Sequence, residues 1–360
     1  MRFYISTKLY SETGCVRKHS DELAAFGKRA MIVTGRRSSR VNGSLSDVEA
    51  ALNTAGISYV IFDEVEENPS IETVMKARNL GILERVEFVI GVGGGSPLDA
   101  AKAIALMIAN PDKTEEALYE LDGLNCIPVV CVPTTCGTGS EVTPYAVLTI
   151  HKQRTKKSIK QKVFPDLALL DSTYLRSMSR TNLVHTAVDA LAHLIESYLN
   201  TNTNEWNRAY SREGMRIWAQ FKVHLKDDRL QEEDYEKMLR ASAFAGMAIA
   251  HTGTSLPHGL SYSVTYEEGY SHGKAVGMFL AGYLSLYKNK EDVNEVLSLL
   301  GFESVSAFAE YMHELLGPTD VDKKVLYTTV QMMLKDTGKL KNYPYEITEQ
   351  ELLNMVGGCV

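Results

Sequence analysis

FVIGVGGGSPLDAAKAIALMIA, Phe88 to Ala109, is the stretch that decides the fold. A β-branched run, Phe88–Val92, passes through consecutive glycines into a helical pattern over Pro97–Ala109. Glycines let a backbone approach a phosphate closely, and a helix N-terminus beyond them presents free N–H groups and a positive dipole. Pro97 suits the first helical position, with Ser96 as its N-cap. The plain structural reading of Ser96 and Asp99 is a capping box, which is compatible with a phosphate role. The run is not the G-x-G-x-x-G fingerprint and does not follow the first strand, so that motif is not claimed.

The same alternation extends to both sides. Ala30–Val33, Tyr59–Phe62, Ile127–Val132 and Leu167–Leu170 read as further strands, and Ser44–Ala55 and Ser70–Leu80 as helices between them. Strands alternating with helices predict an α/β half built on a mostly parallel, Rossmann-like sheet. Beyond about Ser177 the strand runs stop and the pattern becomes helical. The shift at Arg176–Asn182 predicts an α/β nucleotide-binding domain over residues 1–177 and an all-α domain over 178–360. A chain of 360 residues is long enough for two such cores.

Composition narrows the function class. Hydrophobic residues at 44% and charged residues at 23% describe an ordinary globular protein. A net charge of −7 argues against nucleic acid or an anionic membrane as partner. The one basic cluster, Lys152 to Lys162, reads as a local anion site or a solvated loop. No apolar run approaches the roughly 18 residues of a bilayer span. The N-terminal MRFYISTKLYSETG lacks the apolar core of a secretory signal. Cys15, Cys126, Cys131, Cys136 and Cys359 are odd in number and scattered, which suits free thiols in a reducing cytoplasm.

Two more stretches bear on a nucleotide. Pro133–Glu141, PTTCGTGSE, carries hydroxyls and glycines able to line one, though a bland turn would look the same. Gly35–Arg40, GRRSSR, follows the Ala30–Val33 strand. An acidic residue past such a strand binds the ribose 2′-OH, whereas Arg and small donors accommodate a 2′-phosphate. With no carboxylate and three arginines, the turn predicts NADP(H), with NAD(H) the alternative; as a plain structure it is a solvated basic turn.

AVDALAHLIESYL, Ala187 to Leu199, reads as an amphipathic helix with Val188, Leu191, Leu194, Ile195 and Tyr198 on one stripe. Asp189 and His193 stand four apart on the opposite side, with Glu196 one turn further. Taken alone this is a helix with a wet face. His258 and His272 change the reading, because each precedes a glycine and so sits near a chain reversal or helix end able to aim a ring inward. Asp189, His193, His258 and His272 would supply one carboxylate and three imidazoles, suited to ferrous iron or zinc with a substrate oxygen completing the set. The remaining histidines, His19, His151, His185, His224, His251 and His313, read as surface or structural.

Together, GGGSPLDAAK, PTTCGTGSEVT, TAVDALAHLIESY and the His258/His272 segment resemble the iron-activated (group III) alcohol dehydrogenases, relatives of glycerol dehydrogenase and dehydroquinate synthase. The resemblance runs in order from about Ala30 to His272. It implies a dehydroquinate synthase-like fold, an active site in the cleft between the domains, and a homodimer. It also implies the pyrophosphate on Gly94, Gly95 and Ser96, with Asp99 reaching toward cofactor and substrate. Thr134 and Thr135 would contact the nucleotide, Lys157 the ribose, and Gly35, Ser38 and Arg40 the 2′-phosphate. The metal ligands carry over onto Asp189, His193, His258 and His272, with Glu196 left beside them as a supporting or surface residue. Where many members have a second His, four residues after the third ligand, this chain has Tyr262. A phenol can relay a proton, but with an ordinary pKa of about 10 it is a poor base at neutral pH. Cys136 stands where the motif usually has Ala.

The implied activity is metal-dependent NAD(P)-linked interconversion of a small alcohol or diol and its carbonyl compound. Polyol oxidation of the glycerol dehydrogenase kind is the near alternative. A lyase of the dehydroquinate synthase kind is the distant one, and the arginine-rich turn and the three-histidine set argue against it.

Overall fold

The structure, a computed structural model, describes residues 4–153 and 155–357. Cys359, and Arg154 within the basic cluster, lie outside the described residues. The chain forms two compact units: Tyr4–Thr135 with Gly139–Met178, and Cys136–Thr138 with the chain from Ser179 onward.

The first unit is built on a six-stranded sheet. Its strands are β1 (Lys8–Ser11), β2 (Arg29–Thr34), β3 (Ser58–Phe62), β4 (Phe88–Gly93), β5 (Val129–Pro133) and β8 (Leu167–Leu170). They lie in the order β1-β8-β5-β4-β2-β3, and every pairing is parallel. A separate antiparallel hairpin joins β6 (Val147–Ile150) and β7 (Thr155–Ser158). The residues of β4, β5 and β8 are all buried, and β2 is buried after its first residue. This is why these strands read as continuous apolar runs. Side chains two apart share a face, so each strand feeds two cores. Ala30, Ile32, Phe88, Ile90, Val130 and Val132 pack on one side with Leu45, Val48 and Leu52 of the helix Ser44–Thr54. Met31, Val33, Val89, Val129 and Cys131 pack on the other, with the helices Ile71–Leu83 and Gly95–Ile108.

Strand order reverses between β2 and β4: the chain runs outward from β2 to β3, then returns to β4 on the other side. In open parallel sheets, ligands bind beyond the carboxyl ends of the strands at such a switch point. The Gly35–Arg40 turn follows β2 and the Gly94–Ser96 loop follows β4, so both lie there. Thr34 Oγ1 ties the two strand ends together by donating to the Val92 carbonyl at 2.8 Å.

Among the described residues from Arg180 to Gly357, every regular element of the second unit is a helix. The helices Arg180–Tyr198, Glu205–Lys226 and Glu232–Thr252 pack on one another. Ser179 caps the first, its hydroxyl accepting from the Asn182 N–H at 3.2 Å. From Ala187 to Tyr198 that helix is buried on every side, including Asp189, His193 and Glu196. The solvated face expected from its periodicity is absent. Gly214 permits the close approach of its neighbour, since a Cβ there would meet Leu194 Cδ2 at 2.3 Å. No helix among the described residues is long and apolar enough to cross a membrane.

Candidate functional site

The helical unit brings four potential ligands together around one oxygen. Asp189 Oδ1 lies 3.4 Å from His258 Nε2, 3.6 Å from His272 Nε2 and 3.8 Å from His193 Nε2. Asp189, His258 and His272 each place a ligand atom within 4.8 Å of the other two, and His193 Nε2 adds a fourth. Asp189 and His193 occupy successive turns of the buried helix. His258 lies in the first turn of the helix Leu256–Glu268, and His272 opens the helix His272–Gly277. The glycines after them do not make reversals. A Cβ at Gly259 would meet Met333 Sδ at 2.5 Å, and one at Gly273 would meet the His185 carbonyl oxygen at 1.8 Å. Both glycines therefore serve close packing.

Each ring is aimed by its other nitrogen or by its helix. His193 Nδ1 faces the Gly137 carbonyl at 3.3 Å, which fixes the proton on Nδ1 and leaves Nε2 as the lone pair. His258 Nδ1 donates to Glu196 Oε2. Ser271, just before His272, is bound through its hydroxyl to His185 Nδ1 at 2.5 Å. Glu196, Gly137 and the His185–Ser271 pair are contributions that periodicity alone did not assign. Charge follows the geometry. Burial pushes the Asp189 carboxyl up, but His193, His258 and His272 together hold it well below the usual carboxylate range. Burial pushes His193 down to about 4. Burial also opposes the charge on His258, yet Glu196 and Asp189 carry it up to about 9.

This donor set fits a divalent cation. Asp189 Oδ1 and His258 Nε2 are buried and make no hydrogen bond. Atoms left so are costly unless something else satisfies them, and one carboxylate with imidazole nitrogens is chemistry that iron or zinc accepts. The His272 side chain is 42% exposed while the other three are nearly closed, so the cluster is open on that edge. The Tyr262 ring lies parallel to His272 on the same edge, with centroids 6.3 Å apart, and Lys339 Nζ stands 5.6 Å over that phenol ring.

In the sheet unit the glycine loop differs from expectation. The helix begins at Gly95 with Gly94 as N-cap, not at Pro97 with Ser96 as cap. No side chain caps it, because glycine has none, so its first N–H groups remain available to an anion. Gly93 has φ +149°, and a Cβ there would strike Pro97 Cγ at 2.6 Å. Ser96 Oγ accepts instead from the Asn68 N–H at 3.0 Å. Nor does Asp99 close a capping box. Its Oδ1 accepts from Ser140 Oγ at 2.6 Å and its Oδ2 from the Val147 N–H at 2.8 Å. Fully buried Lys102 supports this link by donating to Ser140 Oγ and to the Tyr145 carbonyl, at 2.8 and 2.7 Å. Thr134 is held by its N–H to the Gly93 carbonyl at 2.8 Å, and the Thr135 side chain is what a Cβ on Gly94 would meet, at 3.1 Å.

In the Gly35–Arg40 turn, Ser38 is exposed, and Ser39 is buried with its hydroxyl bonded to Thr34 at 2.8 Å. Arg40 pairs with Asp63 at 2.9 Å, a carboxylate that arrives from beyond β3 and that the local sequence did not reveal. The Lys152–Lys162 cluster is no plain loop, since its Thr155–Ser158 part is β7. Exposed Lys157 sets its ammonium 5.3 Å over the Tyr119 ring, and Lys156 donates to Asn68 Oδ1 at 2.8 Å. Cys136 is buried, with Sγ 3.3 Å from Thr186 Oγ1, and none of the described cysteines forms a disulfide.

Comparison with known proteins agrees along nearly the whole chain. Residues 6–172 match the family pattern described as iron-containing alcohol dehydrogenase. Residues 183–355 match its C-terminal pattern, Fe-containing alcohol dehydrogenase family, C-terminal. An iron-containing alcohol dehydrogenase structure from Thermotoga maritima is 38% identical, covers 99% of both chains and superposes with a TM-score of 0.90. The NADPH-dependent butanol dehydrogenase of Clostridium saccharobutylicum is 27% identical over 99% of this chain and 89% of its own. The long-chain primary alcohol dehydrogenase of Thermoanaerobacter ethanolicus is 26% identical over 94% and 92%. With that coverage and a dehydrogenase structure of such likeness, this chain belongs to the iron-containing alcohol dehydrogenase family of oxidoreductases.

Proposed function

We propose that this chain interconverts a small alcohol or diol and its aldehyde or ketone by hydride transfer, preferring NADP(H) to NAD(H). The observation that carries the reading is the convergence of three imidazole Nε2 atoms on Asp189 Oδ1, with two of those four atoms buried and unbonded. Asp189, His193, His258 and His272 would hold one divalent ion, iron in this reading and zinc as the alternative. When bound, it supplies Lewis acidity at the substrate oxygen.

The rest falls to the chain. The Asp189 carboxylate offsets only part of a divalent charge, which favours an anionic substrate oxygen. The hydrogen bond to Gly137 keeps His193 Nε2 turned inward. The exposed edge at His272 admits a small substrate, and Tyr262 beside it offers a hydroxyl to carry the alcohol proton. Residues 1–177 would form the nucleotide-binding domain and 178–360 the metal-binding domain. Gly94, Gly95 and Ser96 would receive the pyrophosphate, and Asp99, Thr134, Thr135 and Lys157 would border the rest of the nucleotide. Gly35, Ser38 and Arg40 would receive the 2′-phosphate. Arg36 and Arg37 stand exposed there too, and the NADPH-dependent butanol dehydrogenase among the relatives supports the preference. Similarity to a lactaldehyde reductase of Escherichia coli, 29% identical over 78% of this chain, supports a small alcohol or diol. A cytoplasmic homodimer belongs to the same reading, and the absence of a disulfide among the described cysteines suits that compartment.

The test is NADPH- and NADH-linked turnover with a panel of small alcohols and aldehydes, on protein purified anaerobically and assayed for metal. NADP(H)-linked turnover that requires bound metal is expected. Absence of nicotinamide turnover across the panel would overturn the reading.

A further inference from the structure

We infer that Glu196 is a positioning residue that holds His258 in the one tautomer able to bind a metal; this deepens, and rests on, the metal site proposed above. The Glu196 carboxylate is fully buried, and its two oxygens have separate tasks. Oε1 accepts from two backbone N–H groups, Ser255 at 3.1 Å and His258 at 3.2 Å, where the helix Leu256–Glu268 begins. Oε2 accepts from His258 Nδ1. The Nδ1 proton is thereby committed to Glu196, and Nε2, turned toward Asp189 Oδ1 3.4 Å away, is the nitrogen left to give up its proton and offer a lone pair to a metal. A carboxylate that orients a ligating imidazole in this way raises its basicity and sets its tautomer.

The division of tasks makes Glu196→Gln an informative change. The two backbone donors require an acceptor, so the amide oxygen must stay on them. The amide NH2 is then left facing His258 Nδ1, where it can only donate. Nδ1 becomes the acceptor, the ring proton moves to Nε2, and the ligand lone pair is lost. Side-chain size and both backbone hydrogen bonds survive, so the fold is retained while the ligand is withdrawn.

The measurement is zinc affinity by competition with a chromophoric chelator, for the full chain and for Glu196→Gln, His258→Ala and the double variant. Glu196→Gln should bind zinc 10- to 100-fold more weakly. The double variant should bind no more weakly than His258→Ala alone, because the effect runs through His258. Unchanged affinity in Glu196→Gln, or losses that simply multiply in the double variant, would overturn the inference while leaving the metal site standing. Failure of the unsubstituted chain to bind either zinc or Fe2+ would overturn both. If Glu196→Gln does not fold, zinc-loaded unsubstituted protein with 15N-labelled histidine decides instead. It should show a hydrogen-bonded Nδ1 proton that disappears in His258→Ala, and its absence would refute the assignment.

Discussion

Glu141 allows a quantitative test of the nucleotide-loop architecture. Its side chain is 1% exposed, and Oε1 has no hydrogen-bond partner. Burial raises its pKa from the ordinary 4.5 to about 7, against the smaller pull of a backbone hydrogen bond and Lys102. The folded chain therefore keeps the carboxyl protonated over a range where the unfolded chain has lost that proton. Stability is full below about pH 4.5, declines as pH rises, and reaches its lower plateau above about pH 7. At about 1.4 kcal/mol per pKa unit, the plateau lies about 3 kcal/mol below the acid value. Glu141→Gln removes the titration while keeping the size. Urea unfolding of both proteins at about pH 4.5 and about pH 8 measures it. The variant's advantage should grow by about 3 kcal/mol between the two conditions, and comparing the two cancels any constant packing effect of the amide. An advantage independent of pH would refute the claim that this carboxyl is buried neutral.

Other perturbations address the two sites. Gly35→Asp places a carboxylate in the arginine-rich turn and should lower kcat/KM for NADPH relative to NADH by at least about tenfold, or about 1.4 kcal/mol; an unchanged ratio argues against a 2′-phosphate there. Tyr262→Phe should lower kcat by less than about tenfold, since water reaches this half-exposed edge and can replace one hydroxyl. A loss of a hundredfold or more would make the phenol an obligatory proton carrier. Gly273→Ala forces a Cβ into the His185 carbonyl, 1.8 Å away in the present geometry, and should cost about 3 kcal/mol together with weaker metal binding. Calorimetry showing an unchanged Tm would contradict the close packing behind His272.

Much of this was legible in the sequence, and the exceptions have physical causes. Strands β2, β3, β4 and β5 announce themselves because β-branched residues run through each of them, and β8, LALL, does so as a short apolar run. β1, with the sequence KLYS, and β7, TKKS, lie at the sheet edge and in a hairpin, where polar residues face outward and leave no apolar run. Ser96 resembled an N-cap because Pro97 follows it, but glycine at 94 starts the helix earlier. Asp99 was taken up by Ser140 and Val147, partners far along the chain that no local spacing can reveal. The same holds for Asp63 beside Arg40. On the helix Arg180–Tyr198, Asp189, His193 and Glu196 looked like a wet face because periodicity records polarity and not burial. Their burial is tolerated because Asp189 and Glu196 are answered by the charge or ring N–H of His258 and His272, and His193 donates its Nδ1 proton to the Gly137 carbonyl.

The most direct measurement of the central claim is metal content against turnover in one preparation. Protein purified without oxygen should carry a stoichiometric divalent metal and oxidise NADPH with a small aldehyde. Chelation should abolish that turnover while leaving NADPH binding intact, and added Fe2+ or Zn2+ should restore it. Turnover that persists at full rate in demonstrably metal-free protein would contradict the account.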